Sequence, residues 1–469
     1  MTFDSSLSRR QVLLRGLAIA AASTVGPGAQ AAALPPGPPA SYLLHDGHIV
    51  SMDPAIGDIP RGDVLVRDGR IVAVGARLDA PGVERIDMRG RVVMPGFVDT
   101  HWHMWNTIAR GFGTSAAGGF AKTMAALAKV WTPEASALGV RLACAEAVEA
   151  GITTVNNWAH NIKGPAFADA ELAALRASGL RGRMSFGYPQ ALQPDQLMDL
   201  AALETFKRRA FDGASTGLVD LGICMRGPDR SAGPVWRREI AAARALGLPV
   251  TLHLASDRAS AAKGFIAVMH AEKYLGPDVQ VVHATHGTPR DFALLKEAGS
   301  PLSISPWTEL EVGYGLPMLQ AMADSGVEMG LSVDNMVLAG QADMFGVMRL
   351  TIDLAAGQRE QQGVISHRRA LEWATLGGAR GLGYGAVTGS LTPGKRADII
   401  AIDNGTLNTR PVRNVDFMLT HSARPADVDL VMIDGQLHKR NKRLLRVDTA
   451  ALLAEADEMM AKLRAQAKV

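Results

Sequence analysis

Two stretches near the ends of the chain alternate apolar and polar residues with a period of two. From Tyr42 to Val93 the runs are YLLHDGHIVSMD, GDVLVRDGRIVAVG and GRVVMPG. Near the other end they are GSLTPGKRADIIAID, VDFMLTH and VDLVMIDGQLHKR. Such alternation predicts strands, and RDGR between two alternating runs predicts a hairpin. The middle, from Gly96 to Gly383, reads differently. Short apolar runs (GFVDTHWH, TTVNNWAH, GRMSFGY, VDLGICM, PVTLHLA, VQVVHATH, PLSISP, EMGLSVDN) alternate with longer amphipathic ones. The latter include Ala137–Ala150, Pro194–Ala210, Trp236–Leu246, Asp257–Leu275 and Pro289–Ala298, and several are followed by Gly, as at Gly151, Gly247 and Gly299. A glycine just past a periodic run suits a helix C-terminus. Eight strands alternating with helices predict a (β/α)₈ barrel. The β-rich segments on either side predict a small β-sandwich built from both ends of the chain.

The expected division is therefore a leader over residues 1–33, a first sandwich part over 34–95, a catalytic barrel over 96–384, a second sandwich part over 385–446, and a charged C-terminal helix over 447–469. Length supports this. A chain of 469 residues suggests about three domains, but a barrel of this kind exceeds 200 residues as one unit.

Composition removes several function classes. Aromatic residues are 5% of the chain, too few for a platform that stacks nucleic-acid bases. Net charge is +3, and Arg9, Arg10 and Arg15 against Asp4 place two of those charges in the leader. The remainder offers no electrostatic case for nucleic acid or an anionic membrane. The two cysteines, Cys144 and Cys224, cannot form a disulfide framework or a thiolate zinc site and read as buried free thiols.

In the leader, Arg9-Arg10 precedes an apolar stretch from Leu17 to Val25, and small residues follow at Ala29–Ala33. The stretch is too short to span a membrane. The pair resembles a twin-arginine signal, which implies export by that machinery, cleavage, and a periplasmic or secreted location. Pro35–Pro39 reads as a linker.

Working residues of such barrels sit at the carboxyl ends of the strands. Here those ends carry metal-ligand types. Strand one ends in His101-Trp102-His103, and two residues at i, i+2 on a strand face the same side. Strand five ends in His253, strand six in His283 and strand eight in Asp334. One histidine alone is usually an ordinary core or surface residue. This set, at the same end of successive strands, predicts a metal site.

The motif VVMPGFVDTHWHMW, then His253, His283, SVDN and GSLTPGKRADIIAID, resembles the amidohydrolase superfamily, in its cytosine-deaminase, aminohydrolase and chlorohydrolase branch. The resemblance spans Tyr42 to Gln436. It implies that His101, His103, His253 and Asp334 bind one divalent ion, zinc first, with iron or manganese as alternatives. It implies that Asp334 takes a proton from the attacking water and that His283 bonds that water or polarises the attacked group. Members with two ions carry a carboxylated lysine at the end of strand four. VDLGICMRG has none, and the nearest lysines, Lys207 and Lys263, fall in predicted helices. The resemblance further implies a small-molecule substrate and a homo-oligomer.

One departure stands out. The branch usually places Glu three residues after the strand-five His, as a proton relay. Here that position is Ser256, with Asp257 beside it. Asp257 is either a substitute relay or the N-cap of the following helix. His160, Trp105, Trp307 and Glu309 are expected on the substrate side, and Glu309 is a second candidate relay. The function expected is hydrolysis, by metal-activated water, of a non-peptide C–N bond in a cyclic amide, amidine or aminated ring. A metal-dependent decarboxylase or hydratase on the same scaffold, and an exported metal-containing binding protein, remain the alternatives.

Overall fold

The computed structural model describes residues 41–113, 119–213 and 217–469. The leader and linker lie outside the described residues, as does the middle of the Gly-rich loop after Arg110. Eight parallel strands follow one another around a single sheet: Phe97–Trp102, Ile152–Ala159, Arg181–Phe186, Val219–Met225, Val250–Leu254, Val279–His283, Leu302–Ile304 and Met329–Leu331. Helices cover the outside, so a strand such as Ile152–Ala159 is buried at every position. That is why the barrel strands read as apolar runs and not as alternations. The (β/α)₈ barrel expected from the sequence is present.

Main-chain bonds join strand one to the end of strand eight. The His103 N–H donates to the Asp334 carbonyl at 2.8 Å, and the Asp334 N–H to the His101 carbonyl at 3.1 Å. The buried Asp99 carboxylate accepts from the His101 N–H at 3.1 Å and the Val333 N–H at 2.9 Å. This seam runs through three of the four expected ligands.

The alternating segments form a separate nine-stranded mixed sheet. Its two halves meet where Arg91–Pro95 pairs antiparallel with Ile399–Asp403. The predicted hairpin joins Asp58–Arg67 to Arg70–Gly75. VDFMLTH departs from its strand-like pattern. It is helical from Val415 to Ser422, because the Asn414 side chain caps it by accepting from the Phe417 N–H. Arg181, on barrel strand three, donates to Asp398 at 2.6 Å and Asp434 at 2.9 Å and so fastens barrel to sandwich.

The helix Pro289–Ala298 forms as read, capped by Thr288 and closed by Gly299. The run Asp257–Leu275 instead splits into Arg258–Ala261 and Phe265–Ala271, with Gly264 left-handed between them. The C-terminal helix is Thr449–Ala467, docked through Leu452, Ala456, Met460 and Leu463. Both cysteines are buried and free. No described helix is long and apolar enough to cross a membrane.

One buried carboxyl makes stability depend on pH. Glu171, on the helix Pro165–Ser178, accepts from the Asn157 amide at 3.1 Å, and burial pushes its pKa from 4.5 up to about 8. The folded protein therefore keeps a proton that the unfolded chain releases above 4.5. That contribution is complete below the unfolded value and is lost as pH rises through about 8. Stability to urea should fall by a few kcal/mol across this window, on the order expected from the shift. Glu171→Gln should flatten the fall. An equally steep fall in the variant would assign the dependence to another group.

Candidate metal centre

Side chains from strands one, five, six and eight converge at the carboxyl end of the barrel. His101 Nε2 lies 3.2 Å from Asp334 Oδ1, and His103 Nε2 lies 3.3 Å from the same oxygen. His253 Nε2 is 3.3 Å from His101 Nε2. His283 Nε2 is 3.9 Å from Asp334 Oδ2. All five side chains are buried. Asp334 and His283 both adopt left-handed backbone, with φ of 60° and 72°, a conformation uncommon outside glycine and concentrated at functional sites.

This donor set fits a divalent cation. Burial is the main cause that lowers the pKa values of His101, His103 and His253, so the rings are neutral and offer lone pairs. Neutral imidazole nitrogens crowded around a buried carboxylate lack hydrogen-bond partners enough to satisfy one another. His101 Nε2 faces both His253 Nε2 at 3.3 Å and Asp334 Oδ1 at 3.2 Å. A cation at the centre of three imidazoles and one carboxylate removes that deficit.

The surrounding hydrogen bonds fix which ring atom faces inward. The Trp105 indole N–H donates to His160 Nδ1 at 3.1 Å. An indole only donates, so that nitrogen carries no proton. Burial, the largest cause, lowers the His160 pKa to about 4 and agrees with this. His103 Nδ1, 3.0 Å from the same atom, must then be the protonated nitrogen, which leaves His103 Nε2 free for a metal. His160 and Trp105 were expected against the substrate. The structure places them behind His103, with Trp105 also stacked edge-on to Trp131 at 5.0 Å.

Glu309 likewise stands behind a histidine. His283 Nδ1 donates to Glu309 Oε1 at 3.1 Å, and the Ser305 N–H donates to the same oxygen at 2.9 Å. Glu309 is fully buried, so it reaches the centre only through His283. Trp307 is half-buried and leans on the helix Met344–Arg359 at Gly346. Asp257 takes the capping role, accepting from the Ser260 N–H at 2.7 Å, and Ser256 is buried. Neither supplies a relay at the usual position. No lysine stands at the end of strand four. Lys207 pairs with Asp212 and Lys263 donates to the Asp229 carbonyl.

Two residues the sequence did not single out also face this end. Tyr314 lays its ring 5.4 Å from that of His283, and Arg230 donates to the Tyr314 hydroxyl at 3.1 Å. Arg230 lies in RGPDR, directly past strand four, where the carboxyl-end rule could have found it.

A family model described as "Amidohydrolase family" matches residues 92–438. The chain belongs to the amidohydrolase family. Among curated relatives, it is 27% identical over 442 residues to a 5'-deoxyadenosine deaminase of Methanosarcina mazei, covering 91% of this chain and 99% of that one. It is 28% identical over 445 residues to a 5-methylthioadenosine/S-adenosylhomocysteine deaminase of Symbiobacterium thermophilum, covering 90% and 98%. Among solved structures it resembles an adenosine deaminase from Xanthomonas campestris with bound zinc, with TM-score 0.82, 25% identity, and 92% and 100% coverage. The fold is also that of an atrazine chlorohydrolase from Arthrobacter aurescens, with TM-score 0.80, 19% identity, and 89% and 100% coverage. This amidohydrolase is a metal-dependent hydrolase of C–N bonds other than peptide bonds.

Proposed function

We propose that the protein deaminates an aminated ring of a small molecule and holds one divalent ion, zinc, through His101, His103, His253 and Asp334. The convergence of those four side chains across the barrel seam carries the reading. The absence of a lysine at the end of strand four supports a single ion. When bound, such an ion lowers the pKa of water toward about 7 and stabilises negative charge on the attacked group.

The chain's own residues manage protons and position. Asp334, between the imidazoles and His283, receives a proton as water adds to the ring carbon. His283 presents Nε2 to the reacting group because Glu309 holds its Nδ1–H. With serine at position 256, the His283–Glu309 pair is the nearest unit able to pass a proton to the departing nitrogen. The C–N bond breaks, ammonia leaves, and a carbonyl remains on the ring. Burial of the cluster keeps bulk water from competing for these protons.

The leader's arginine pair supports export by the twin-arginine route to the periplasm or beyond, and the family resemblance supports a homo-oligomer. The test of function is ammonia release from 5'-deoxyadenosine, S-adenosylhomocysteine and cytosine by the zinc-loaded chain. Ammonia equimolar with product from any one establishes deamination. No ammonia from aminated rings, with consumption of a carboxylated or unsaturated substrate instead, would favour the lyase reading that Ser256 keeps open.

A further inference from the structure

Arg230 makes no ion pair within contact distance among the described residues. Among the described residues no carboxylate pairs with it, and its one hydrogen-bond partner is the neutral Tyr314 hydroxyl. Arg226, four residues earlier, is by contrast committed to structure. It donates to the carbonyls of Leu192, Gln193 and Gln196 and lies 3.7 Å from Glu239. Arg230 is exposed, and the Tyr314 ring that it bonds lies 5.4 Å from the ring of His283. A solvent-facing guanidinium is thus linked to the buried cluster through one side chain, Tyr314.

Its placement is built. The neighbouring Asp229 carboxylate accepts from the Ala255 N–H at 2.8 Å, just past strand five. Lys263 donates to the Asp229 carbonyl at 2.8 Å. Tyr314 packs edge-on against His283 and turns its hydroxyl to the guanidinium. A planar fork of N–H donors beside one O–H donor matches the two oxygens of a carboxylate. Asp229 and Asp257 both lie close enough for their charges to act locally, which disfavours a phosphate dianion more than a singly charged carboxylate.

We propose that Arg230 and Tyr314 form a carboxylate-binding subsite, so that the substrate of this enzyme is an aminated ring or cyclic amide bearing a carboxylate near the reacting carbon. This rests on the deaminase reading for the ring, but not for the anchor. The subsite is tested by binding, with calorimetry on the zinc-loaded chain and two matched pairs: cytosine with 5-carboxycytosine, and dihydrouracil with dihydroorotate. In at least one pair the carboxylated member should bind about tenfold tighter or better. Arg230→Gln should erase that preference, Arg230→Lys should retain part of it, and Tyr314→Phe should weaken it without abolishing it. Equal binding within both pairs, including none by any member, overturns the proposal, as does a preference that survives Arg230→Gln. Carboxylate-dependent binding of 5-carboxycytosine without ammonia release from it would keep the subsite and count against the deaminase reading. Ammonia release from cytosine, indifferent to Arg230→Gln, would do the reverse.

Discussion

An Asp334→Asn variant is expected to fold, to lose metal affinity, and to turn over substrate at least about 10³-fold more slowly. Folding should survive because asparagine, like aspartate, tolerates the left-handed backbone at φ 60°. The main-chain bonds to His101 and His103 do not involve the side chain. What disappears is the negative charge 3.2 and 3.3 Å from two imidazole nitrogens, together with the group that receives the water's proton. Elemental analysis, circular dichroism and steady-state kinetics on the same sample separate these effects. Wild-type turnover in a folded variant would exclude Asp334 from the chemistry.

The second large effect is expected at Glu309, a residue that never meets the substrate. Glu309→Gln keeps an oxygen for the His283 N–H but removes the charge. Turnover should fall by about 10²-fold or more, with KM little changed, since orientation of a catalytic imidazole by a buried carboxylate is worth that much or more. Glu309 acts only through His283, so the effects should not add. The double variant Glu309→Gln/His283→Gln should be no slower than His283→Gln alone. Additive losses would mean that Glu309 supports the site by another route.

The parts legible in the sequence were those under the tightest chemical constraint. A metal needs particular residue types, and a barrel presents them only at strand ends, so His101, His103, His253 and Asp334 announced themselves by type and spacing. Pro289–Ala298 was legible to the residue because Thr288, Pro289 and Gly299 mark both of its ends. The supporting roles were not. Nothing in the spacing of His160 or Trp105 says that an indole N–H will settle which nitrogen of His103 faces the cluster. Glu309 looked like a rim carboxylate because its helix, Pro306–Glu311, follows a strand of only three residues and turns the side chain inward. Arg230 and Tyr314 meet across two loops, and loop paths leave no periodic trace.

The stitching of strand one to strand eight through the ligands bears on the protein's lifetime in the cell. An ion held by His101, His103, His253 and Asp334 grips the first, fifth and last strands at once. A ligand bound only by the folded state at 100 times its dissociation constant adds about 2.7 kcal/mol of stability, a large share of what a typical domain has. A cell short of the ion would thus carry a barrel that opens and is degraded more readily, as well as one that is idle. The amount of this protein that accumulates, and not only its specific activity, becomes a record of metal supply.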